Sequence, residues 1–370
     1  MSAHARAPKH ILFNTDCEGP TVSNDHALEV ARAWLPDGRR LFQQLSRYDD
    51  IVAYIQKRPF YNCGDTLRLI LPFLKGVARL TDDALTAWTK KDQRPKWING
   101  AQHAIKHLAG LENVEVFEIS ASYYPFAALV AEGLGLQQDK VYSTYCSLDR
   151  YSMKVTEAKR LAELAREIVL LGDVPEIDLA HPDSSKFTPA QQDVLARLDQ
   201  IVWGEMAEEL PCARKMLLEV RAMGGREKVS AIWDTLERTQ RDPKDTIYIG
   251  DSITDVEAFR ALDEVGGVSV SFNGNKYAIA TAKYCSWGDN SLVTALIADV
   301  FRTRGLDGLD EFAHAPHLIK DLGKISPVYQ HLGTEWGIAK PKKGAANSHI
   351  YEQSDKYRKQ TRNEAAATTS

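Results

Sequence analysis

Short runs of apolar residues, each bounded by polar or turn-forming residues, predict the strands of a sheet. Three such runs cover residues 10–15 (HILFNT), 114–120 (VEVFEIS) and 246–250 (TIYIG), and a fourth covers 268–272 (VSVSF). Strands of a parallel sheet are covered by helices on both faces, so they are apolar on both faces rather than alternating. The runs have this composition, and we expect them to be buried strands of a parallel sheet.

Helical patterns follow two of these runs. Apolar residues recur at three- and four-residue spacing over 125–133, after the second run, and over 255–262, after the third. A strand followed by a helix, repeated along a chain, is typical of a parallel sheet whose strands are joined by crossover helices. The pattern therefore predicts an α/β fold built on a Rossmann-like parallel sheet.

Two long stretches with helical spacing interrupt the strand-forming segments. The first stretch separates the first two runs, with helices expected over 38–54, 65–80 and 102–108. The second runs from about residue 156 to about residue 222 and is broken by the polar segment 178–190. Neither stretch contains a convincing strand, so both are predicted to be helical insertions into a single sheet domain.

The rest of the chain is predicted to follow the sheet as an extension and a tail. From Lys340 onwards the sequence is polar, rich in Lys, Ala, Ser and Thr, and without a helical apolar stripe, which is typical of disorder. The predicted parts are the sheet core (8–24, 111–155 and 220–300), a first helical insertion (25–110), a second one (156–219), a C-terminal helical extension (300–339) and a disordered tail (340–370).

The composition is that of a soluble globular protein. Of the 370 residues, 44% are hydrophobic and 26% are charged, and the net charge of −4 gives no reason to expect a nucleic acid or an anionic membrane as a partner. The N-terminus lacks the apolar core of a secretory signal, and no segment approaches the ~20 apolar residues that span a bilayer. The five scattered cysteines include no CxxC pair and are expected to be free thiols. We therefore expect a cytoplasmic protein, and the composition indicates no particular oligomeric state.

Acidic residues follow the first predicted strand. Asp16 and Glu18 come directly after it, and Gly19-Pro20 allows the backbone to turn so that both carboxylates face one crevice. Ligands of open α/β sheets gather at the carboxyl ends of the strands. One carboxylate would then attack a phosphorus atom while the other transfers protons. A solvated acidic turn at the end of a strand is equally compatible with this segment.

A second acidic pair, Asp251 and Asp255, follows the third predicted strand. Acids four residues apart at the start of a helix share a face and can hold a hard cation together. Mg²⁺ suits this set better than Zn²⁺ because all of the donors are carboxylates. The alternative is a helix N-cap, a position that Asp favours.

A hydroxyl and an amine complete the candidate chemistry. Ser120 ends the second run, where its hydroxyl and nearby backbone N–H groups would hold a phosphoryl oxygen. Lys228 follows two glycines early in a predicted helix, and its ammonium would neutralise both a phosphate and the aspartates. Taken alone, either residue is better explained as a structural one.

Together and in this order, the four segments resemble the four motifs of the haloacid dehalogenase superfamily, and within it the phosphoserine-phosphatase-like branch. The matching residues are Asp16-Cys-Glu18-Gly, Ser120, Lys228 and Gly250-Asp-Ser-Ile-Thr-Asp255. The opening TDCEGP at 15–20, followed by Asn24-Asp25, is similar to that of archaeal superfamily members encoded with energy-converting hydrogenases. The segment 272–278 also looks like one that follows the fourth motif in many of these phosphatases.

The resemblance implies a magnesium-dependent phosphohydrolase with a Rossmann-like core. Asp16 would become an aspartyl phosphate, while Glu18 would protonate the leaving oxygen and then deprotonate the hydrolytic water. Ser120 and Lys228 would bind the phosphoryl group. The Mg²⁺ ligands would be Asp16, Glu18 (through its main-chain carbonyl), Asp251 and Asp255. The first insertion would be a cap that closes over the site and favours a small phosphorylated metabolite as the substrate.

The chain departs from the usual pattern at Glu18, where most members have Asp. Enolase-phosphatases of the same superfamily also have Asp-x-Glu-Gly, so the change is compatible with catalysis. Glu18 argues against carbon–phosphorus cleavage, because enzymes of that kind in this superfamily lack an acid at this position. The prediction is therefore hydrolysis of a phosphoric monoester. The alternatives are a phosphotransferase, or a non-hydrolytic phosphate-binding or regulatory protein on a degenerate scaffold.

Overall fold

A seven-stranded sheet lies at the centre of the computed structural model, which describes residues 10–178, 186–316, 321–342 and 347–362. In chain order the strands are β1 (Ile11–Thr15), β2 (Val114–Tyr123), β3 (Val141–Thr144), β4 (Thr246–Gly250), β5 (Val268–Phe272), β6 (Tyr284–Gly288) and β7 (Trp336–Ala339). Across the sheet the order is β3-β2-β1-β4-β5-β6-β7, and all neighbours are parallel except the antiparallel pair β6 and β7. The predicted α/β fold with a parallel sheet is confirmed.

Helices connect the strands and build the insertions. In chain order they are α1 (His26–Trp34), α2 (Gly38–Tyr54), α3 (Thr66–Gly76), α4 (Asp82–Asp92), α5 (Ala101–Ala109), α6 (Tyr124–Leu134), α7 (Val155–Leu170), α8 (Pro189–Asp199), α9 (Pro211–Glu219), α10 (Gly225–Thr239), α11 (Val256–Glu264), α12 (Lys276–Thr281), α13 (Leu292–His314), α14 (Leu322–Ile325) and α15 (Ser348–Thr361). A π-helical segment, Gln200–Glu209, joins α8 to α9. In the part of the chain that the structure describes, no helix combines the length and apolarity needed to cross a lipid bilayer.

The four apolar runs form β1, β2, β4 and β5, as predicted. Every residue of β1, β4 and β5 is buried, because helices cover both faces of the sheet. The predicted helices of the first insertion correspond to α2, α3 and α5, and the two crossover helices correspond to α6 and α11. The sequence prediction missed β3 and β6, which are short and contain polar residues such as Thr144 and Ser286.

Parallel pairing brings the candidate residues to one edge of the sheet. Thr15, the last residue of β1, lies opposite Glu118 of β2 and Ile249 of β4. Residues that follow these positions leave the sheet at the same carboxyl edge, where ligands of such sheets bind. Asp16 and Asp251 therefore meet although 235 positions separate them in the chain.

The core lies on both faces of the sheet. Ile11 and Phe13 of β1 pack with residues of α5, α6 and α13, whereas Leu12 packs with residues of α10 and α11. Since every second side chain of a strand lies on the same face, this alternation gives the sheet two apolar layers. The strands that carry the candidate residues are thereby held rigidly between helices.

The two insertions pack against each other. Buried apolar residues of α1, α2 and α3, from the first insertion, share one cluster with those of α7, α8 and α9, from the second. By contrast α5, which the predicted range 25–110 includes, packs on β2 and α13 at the sheet. The helical layer is therefore built by both insertions, and the second one supports the first. Residues 8–9 of the predicted core and 179–185 of the predicted second insertion lie outside the described residues.

The prediction of a disordered tail over 340–370 is wrong for its central part, which forms α15. The buried residues of α15 are Ile350, Ser354, Tyr357 and Arg358. Two of the four are polar, so no apolar stripe marks the helix in the sequence. The hydroxyl of Ser354 donates to the Gly274 carbonyl (2.9 Å), and this bond satisfies a polar group that faces the core. Residues 343–346 and 363–370 lie outside the described residues.

The predicted helical extension (300–339) also contains a strand. α13 begins at Leu292 and ends at His314, and β7 then pairs with β6, with Cys285 opposite Ala339. β7 has only four residues, which are too few to show a strand-like alternation of apolar and polar positions. Its extended conformation is therefore determined by its pairing with β6. The prediction of a helical extension over 300–339 is therefore wrong where β7 forms, and residues 317–320 of that range lie outside the described residues.

His26, at the start of α1, is fully buried. Its ring stacks on that of Phe126, with ring centroids 4.7 Å apart and an interplanar angle of 8°, and its Nε2 lies 3.2 Å from Oγ1 of Thr89. Burial lowers the pKa of His26 to about 3, because an imidazolium would lose its hydration there. His26 is therefore neutral in the folded protein near neutral pH.

We expect His26 to contribute to acid destabilisation. In the unfolded chain the imidazole titrates at a pKa of about 6.5, so between that pH and about 3 only the unfolded state binds the proton. The contribution of neutral His26 to the free energy of unfolding is fully present above about pH 6.5. This contribution falls by about 2 kcal/mol between about pH 7 and about pH 5. The free energy of unfolding of His26→Phe, measured by urea titration, should fall by about 2 kcal/mol less than that of the wild type over this interval. Equal falls would contradict the assignment.

Candidate active site

Asp16 leaves the end of β1 with its backbone held by the neighbouring strand. Its amide donates to the Ile249 carbonyl (2.8 Å), and its side chain is buried. Oδ1 accepts a hydrogen bond from the Cys17 amide (2.7 Å), and Oδ2 lies 2.6 Å from Nζ of Lys228. Burial raises the pKa of Asp16 to about 7, although the Lys228 ammonium lowers it. The carboxylate is thus fixed in one orientation at the carboxyl edge of the sheet.

Lys228 lies in the first turn of α10 and is completely buried. Its ammonium is 2.6 Å from Oδ2 of Asp16 and 2.6 Å from Oδ1 of Asp255. Burial opposes the charged form, but the two carboxylates outweigh it and raise the pKa of Lys228 above its ordinary value. Lys228 therefore carries a permanent positive charge between two carboxylates.

Each oxygen of the Asp255 carboxylate accepts at least two hydrogen bonds, and Oδ2 also accepts a third from the Ser252 hydroxyl (3.4 Å). Oδ1 accepts from Lys228 and from the Tyr248 hydroxyl (2.6 Å), and Oδ2 accepts from the backbone amides of Asp251 and Ser252 (2.9 Å each). Burial opposes ionisation, but Lys228 and the other donors lower the pKa of Asp255 below its ordinary value. Asp255 therefore holds Lys228 and the loop that follows β4.

Asp251 presents one carboxylate oxygen with donors and one without. Oδ2 lies 2.5 Å from Nη1 of Arg358 and 3.2 Å from Nη2 of Arg362, whereas Oδ1 is buried and accepts no hydrogen bond from any described residue. One carboxylate oxygen each from Asp16, Asp251 and Asp255 lies within 4.8 Å of the other two. Hard divalent cations prefer carboxylate donors, so this set and its unpaired oxygen fit Mg²⁺.

The turn that follows β1 needs a glycine. Gly19 has a φ of +109°, and a Cβ at this position would lie 2.4 Å from the carboxylate of Asp251. The Thr21 hydroxyl and amide both donate to the Cys17 carbonyl, at 2.6 and 3.0 Å, and close the turn. The Asp-Cys-Glu-Gly segment thus packs directly against the loop after β4, as the predicted crevice requires.

Glu18 is held by two donors at the side of the crevice. Its Oε1 accepts hydrogen bonds from the His26 amide (2.8 Å) and the Ser122 hydroxyl (2.6 Å). Burial, followed by the charge of nearby Asp25, raises the pKa of Glu18 to about 8. Glu18 therefore carries a proton near neutral pH.

Strand β2 supplies two serines, Ser120 and Ser122, of which the sequence prediction included only Ser120. Ser120 is fully buried, and its hydroxyl oxygen accepts a hydrogen bond from the Ser122 amide (3.1 Å). Ser122, and not Ser120, lines the cavity that contains Asp16 and Glu18. Alternate residues of a strand share a face, so the Ser-Ala-Ser pattern is the feature from which Ser122 could have been found.

A cavity of about 460 Å³ opens between this edge of the sheet and the helical insertions. The sheet side is formed by Asp16, Glu18, Ser122, Asp251 and Ser252. The first insertion contributes residues of α2, among them Arg47 and Asp50, so it lies over the candidate site in the place expected of a cap. Arg358 and Arg362, at the C-terminal end of α15, also line the cavity, and no feature of the sequence indicated them.

All six predicted site residues lie at this edge of the sheet, in two groups. One group is connected through Lys228 and consists of Asp16, Lys228, Asp255 and, through its amide, Asp251. The other is connected through Ser122 and consists of Glu18 and Ser120. The structure thus brings the six residues together, and their chemical roles stay predictions.

Several solved structures are similar to this chain. No protein-family model matches the chain, and no curated protein matches it. The structure of gene product AF1437 from Archaeoglobus fulgidus matches with a TM-score of 0.77 at 24% identity, over 96% of this chain and 98% of that one. A phospho-aspartyl intermediate analogue of phosphoserine phosphatase matches with a TM-score of 0.45 at 14% identity, over 75% and 93% of the two chains. L-2-haloacid dehalogenase from Xanthobacter autotrophicus matches with a TM-score of 0.30 at 11% identity, over 73% and 81%.

The phosphatase and the dehalogenase are too dissimilar in structure to bear on function. The match with the archaeal structure covers nearly the whole of both chains, so the similarity extends over the sheet and both insertions. At this identity the likeness shows the fold alone. The chain therefore has the fold of the archaeal gene product AF1437, and the predicted α/β architecture, a parallel sheet with helical insertions, is confirmed.

Proposed function

We propose that this chain is a Mg²⁺-dependent phosphohydrolase of the haloacid dehalogenase type, which cleaves a small-molecule phosphate monoester through an aspartyl phosphate on Asp16. The observation that carries the proposal is the arrangement at the end of β1. There a buried Asp16 carboxylate, paired with Lys228, lines a cavity beside an Asp251 oxygen that has no hydrogen-bond donor. A positioned nucleophile, a fixed positive charge and a divalent-cation site are the components that phosphoryl transfer requires.

Asp16 would attack the phosphorus atom of the ester. A carboxylate oxygen forms a bond to phosphorus while the bond from phosphorus to the ester oxygen breaks, and the electron pair of that bond stays on the leaving oxygen. Only the ionised carboxylate attacks, and Lys228, 2.6 Å away, stabilises that form. Water then attacks the phosphorus of the aspartyl phosphate, inorganic phosphate leaves, and the Asp16 carboxylate is regenerated.

Glu18 would supply the proton and recover it. Because its pKa is raised to about 8 by burial, its carboxyl group is protonated near neutral pH and can donate to the leaving oxygen. The resulting carboxylate would take a proton from the attacking water, which returns Glu18 to its starting state. The His26 amide and the Ser122 hydroxyl keep this carboxyl group in place throughout.

Bound Mg²⁺ would offset the negative charge of the phosphoryl group in the crevice. The side chains of Asp16 and Asp251 would hold the ion, together with the main-chain carbonyl of Glu18 that the family resemblance implies. For Asp255 we propose positioning rather than direct ligation, since its two oxygens already accept five hydrogen bonds. Asp255 would then act through Lys228 and the Asp251 amide.

The cavity suits a small substrate. Its volume of about 460 Å³ is that of a metabolite site rather than of a macromolecular cleft. On the insertion side its walls carry Arg47, Asp49 and Asp50, so the part of the substrate beyond the phosphate would meet charged side chains. The same walls carry the apolar side chains of Phe42 and Leu67, so we propose a compact phosphorylated metabolite whose remainder contacts both charged and apolar groups.

Replacing Glu18 with glutamine should lower kcat by about 10²- to 10⁴-fold, because an amide does not exchange protons with the leaving oxygen or the water. The loss should be smaller for p-nitrophenyl phosphate, whose leaving group departs without a proton. In the wild type, kcat/KM should fall as the pH rises through about 8, where Glu18 loses its proton. Steady-state pH profiles measure this alkaline limb. If the limb persisted in Glu18→Gln, it would belong to another group.

Phosphate release from a panel of small phosphate monoesters tests the proposal. Purified protein with Mg²⁺ should release inorganic phosphate from at least one member, and EDTA should abolish the release. If folded protein released phosphate from none of them, the proposal would be overturned. Phosphate binding without turnover would favour the non-hydrolytic regulatory alternative, and transfer of the phosphoryl group to an added alcohol would favour a phosphotransferase.

A further inference from the structure

Two arginines at the C-terminal end of α15 reach the candidate active site: Arg358 lies in its last turn, and Arg362 follows its last residue. Arg358 and Arg362 are each 3% exposed, and both line the cavity together with Asp16 and Glu18. Both contact Oδ2 of Asp251, at 2.5 and 3.2 Å. They are four residues apart, and the Arg362 amide donates to the Arg358 carbonyl (2.8 Å), so both side chains leave the same side of the helix end.

The helix has contacts of its own that do not involve these arginines. The Ser354 hydroxyl donates to the Gly274 carbonyl (2.9 Å), and Ile350 and Tyr357 pack with Trp287 in a separate apolar cluster. Burying two guanidinium groups costs desolvation free energy. Arg358 offsets part of this cost by donating to the main-chain carbonyls of Asp251 and Asn273 (3.2 Å each), but the helix is already attached to the sheet by its other contacts. The burial of the two arginines is better explained if their positive charges have a function at the candidate active site.

Apart from these arginines, the cavity wall around the nucleophile is acidic. The acids that line it there are Asp16, Glu18, Asp25 and Asp251. Lys228 is enclosed between its two carboxylates. Among the described residues that line the cavity, the other cationic side chains are Arg47 and Lys276, and both lie against Glu176 on the insertion side. The two arginines of α15 are therefore the cationic side chains that line the cavity beside the nucleophile.

A phosphoryl group needs positive charge to enter such a wall. A phosphate monoester carries about two negative charges near neutral pH, and the carboxylates of the crevice would repel it. A guanidinium group presents its N–H donors in a planar fork that matches phosphate oxygens, and it stays charged at any physiological pH. Arginine is thus the side chain best suited to bind phosphoryl oxygens among carboxylates.

We propose that Arg358 and Arg362 bind the phosphoryl oxygens of the substrate, which makes the C-terminal helix α15 a substrate-binding element of the active site. The inference rests on the proposed function and deepens it. The contacts with Asp251 hold the guanidinium groups beside the nucleophile before the substrate arrives. In the complex the two arginines are shared between this carboxylate and the phosphoryl oxygens.

Calorimetric titration of inorganic phosphate into the full chain with Mg²⁺ tests the inference. We expect Arg362→Gln to weaken phosphate binding by about 10-fold, and the double substitution Arg358→Gln/Arg362→Gln by about 100-fold or more. Arg362→Lys keeps the charge but lacks the planar fork, so it should lose less affinity than Arg362→Gln. With a phosphate monoester that is turned over, KM should rise by a larger factor than kcat falls. Lys356→Gln removes an exposed charge from the same helix and should bind phosphate as the wild type does.

Three results would overturn the inference, and they have different consequences for the proposed function. If the wild type binds phosphate and the folded glutamine variants bind it equally well, the arginines do not bind the phosphoryl group, although the proposed function stands. If the variants bind phosphate more tightly, α15 is an inhibitory element instead. If the wild type binds no phosphate in the presence of Mg²⁺, the proposed function fails as well. Should the double variant not fold, Arg362→Gln carries the test, because Asp251 then keeps Arg358 as a partner.

Discussion

Replacing Asp16 with asparagine should lower kcat for phosphate release by on the order of 10⁴-fold or more. The asparagine amide is not a nucleophile, so no aspartyl phosphate forms at this position. The substitution changes the shape of the side chain very little. Its carbonyl oxygen can still accept the hydrogen bond from the Cys17 amide, and Lys228 keeps Asp255 as a partner. The fold should therefore persist while the activity is lost.

Initial rates of phosphate release at saturating substrate measure this effect, and circular dichroism shows whether the variant is folded. Asp139→Asn is a matched control, since it removes an exposed carboxylate that pairs with Arg238, and it should keep the wild-type kcat. A folded Asp16→Asn protein that kept more than about a tenth of the wild-type kcat would contradict the assignment of Asp16 as the nucleophile.

Replacing Lys228 with methionine should lower the free energy of unfolding by about 3–5 kcal/mol. Methionine fills a similar volume, but it leaves the carboxylates of Asp16 and Asp255 buried without the ammonium that now lies 2.6 Å from each. Like charges in a desolvated site repel each other, so the pKa of one carboxyl group would rise in the variant. The deficit in stability should therefore shrink as the pH is lowered, because protonation relieves the repulsion.

Urea unfolding of the wild type and of Lys228→Met at about pH 7 and about pH 5 measures both the deficit and its pH dependence. Lys356→Met, at an exposed position of α15, is the control and should change the free energy of unfolding by no more than about 0.5 kcal/mol. A deficit below about 1 kcal/mol at neutral pH would be typical of an exposed ion pair and would show that Lys228 is not the buried counter-charge.

Strands could be predicted where their own residues carry the pattern. β1, β4 and β5 are covered on both faces, so each is a short and mostly apolar run that the sequence shows. β3 lies at one edge of the sheet, is mostly half-buried and takes its conformation from pairing with β2. A segment of four residues that becomes a strand by pairing with a distant strand shows no recognisable hydrophobic pattern of its own. β3 and β7 could therefore not be predicted from the sequence.

The position of the site could be predicted from the sequence. Once the strands of a parallel sheet are identified, the edge at which their carboxyl ends lie is known as well. Asp16 and Asp251 follow adjacent strands and therefore had to meet at one edge. The sequence does not distinguish Asp251 from Asp255, since both are acids of one short motif. Their difference arises from distant donors: Lys228 and Tyr248 occupy Asp255, whereas Arg358 approaches Asp251.

α15 shows the limit of prediction from local pattern. Its inward face carries Ser354 and Arg358, which become buried only because a carbonyl and a carboxylate elsewhere in the chain pair with them. The sequence of this segment is mostly polar. The residues with which its buried polar groups pair lie about a hundred positions away in the chain. Tertiary pairing of polar groups, rather than apolar periodicity, brings this helix to the site.

The formation of a phosphoryl-like adduct on Asp16 tests the central claim most directly. Beryllofluoride with Mg²⁺ mimics an aspartyl phosphate when it binds to a nucleophilic carboxylate, and a ligand that binds only the folded protein raises its melting temperature. We expect Mg²⁺ and beryllofluoride together, but neither alone, to raise the Tm of the wild type, with no such rise for Asp16→Asn. Equal stabilisation of both proteins, or no stabilisation of the wild type, would contradict the account.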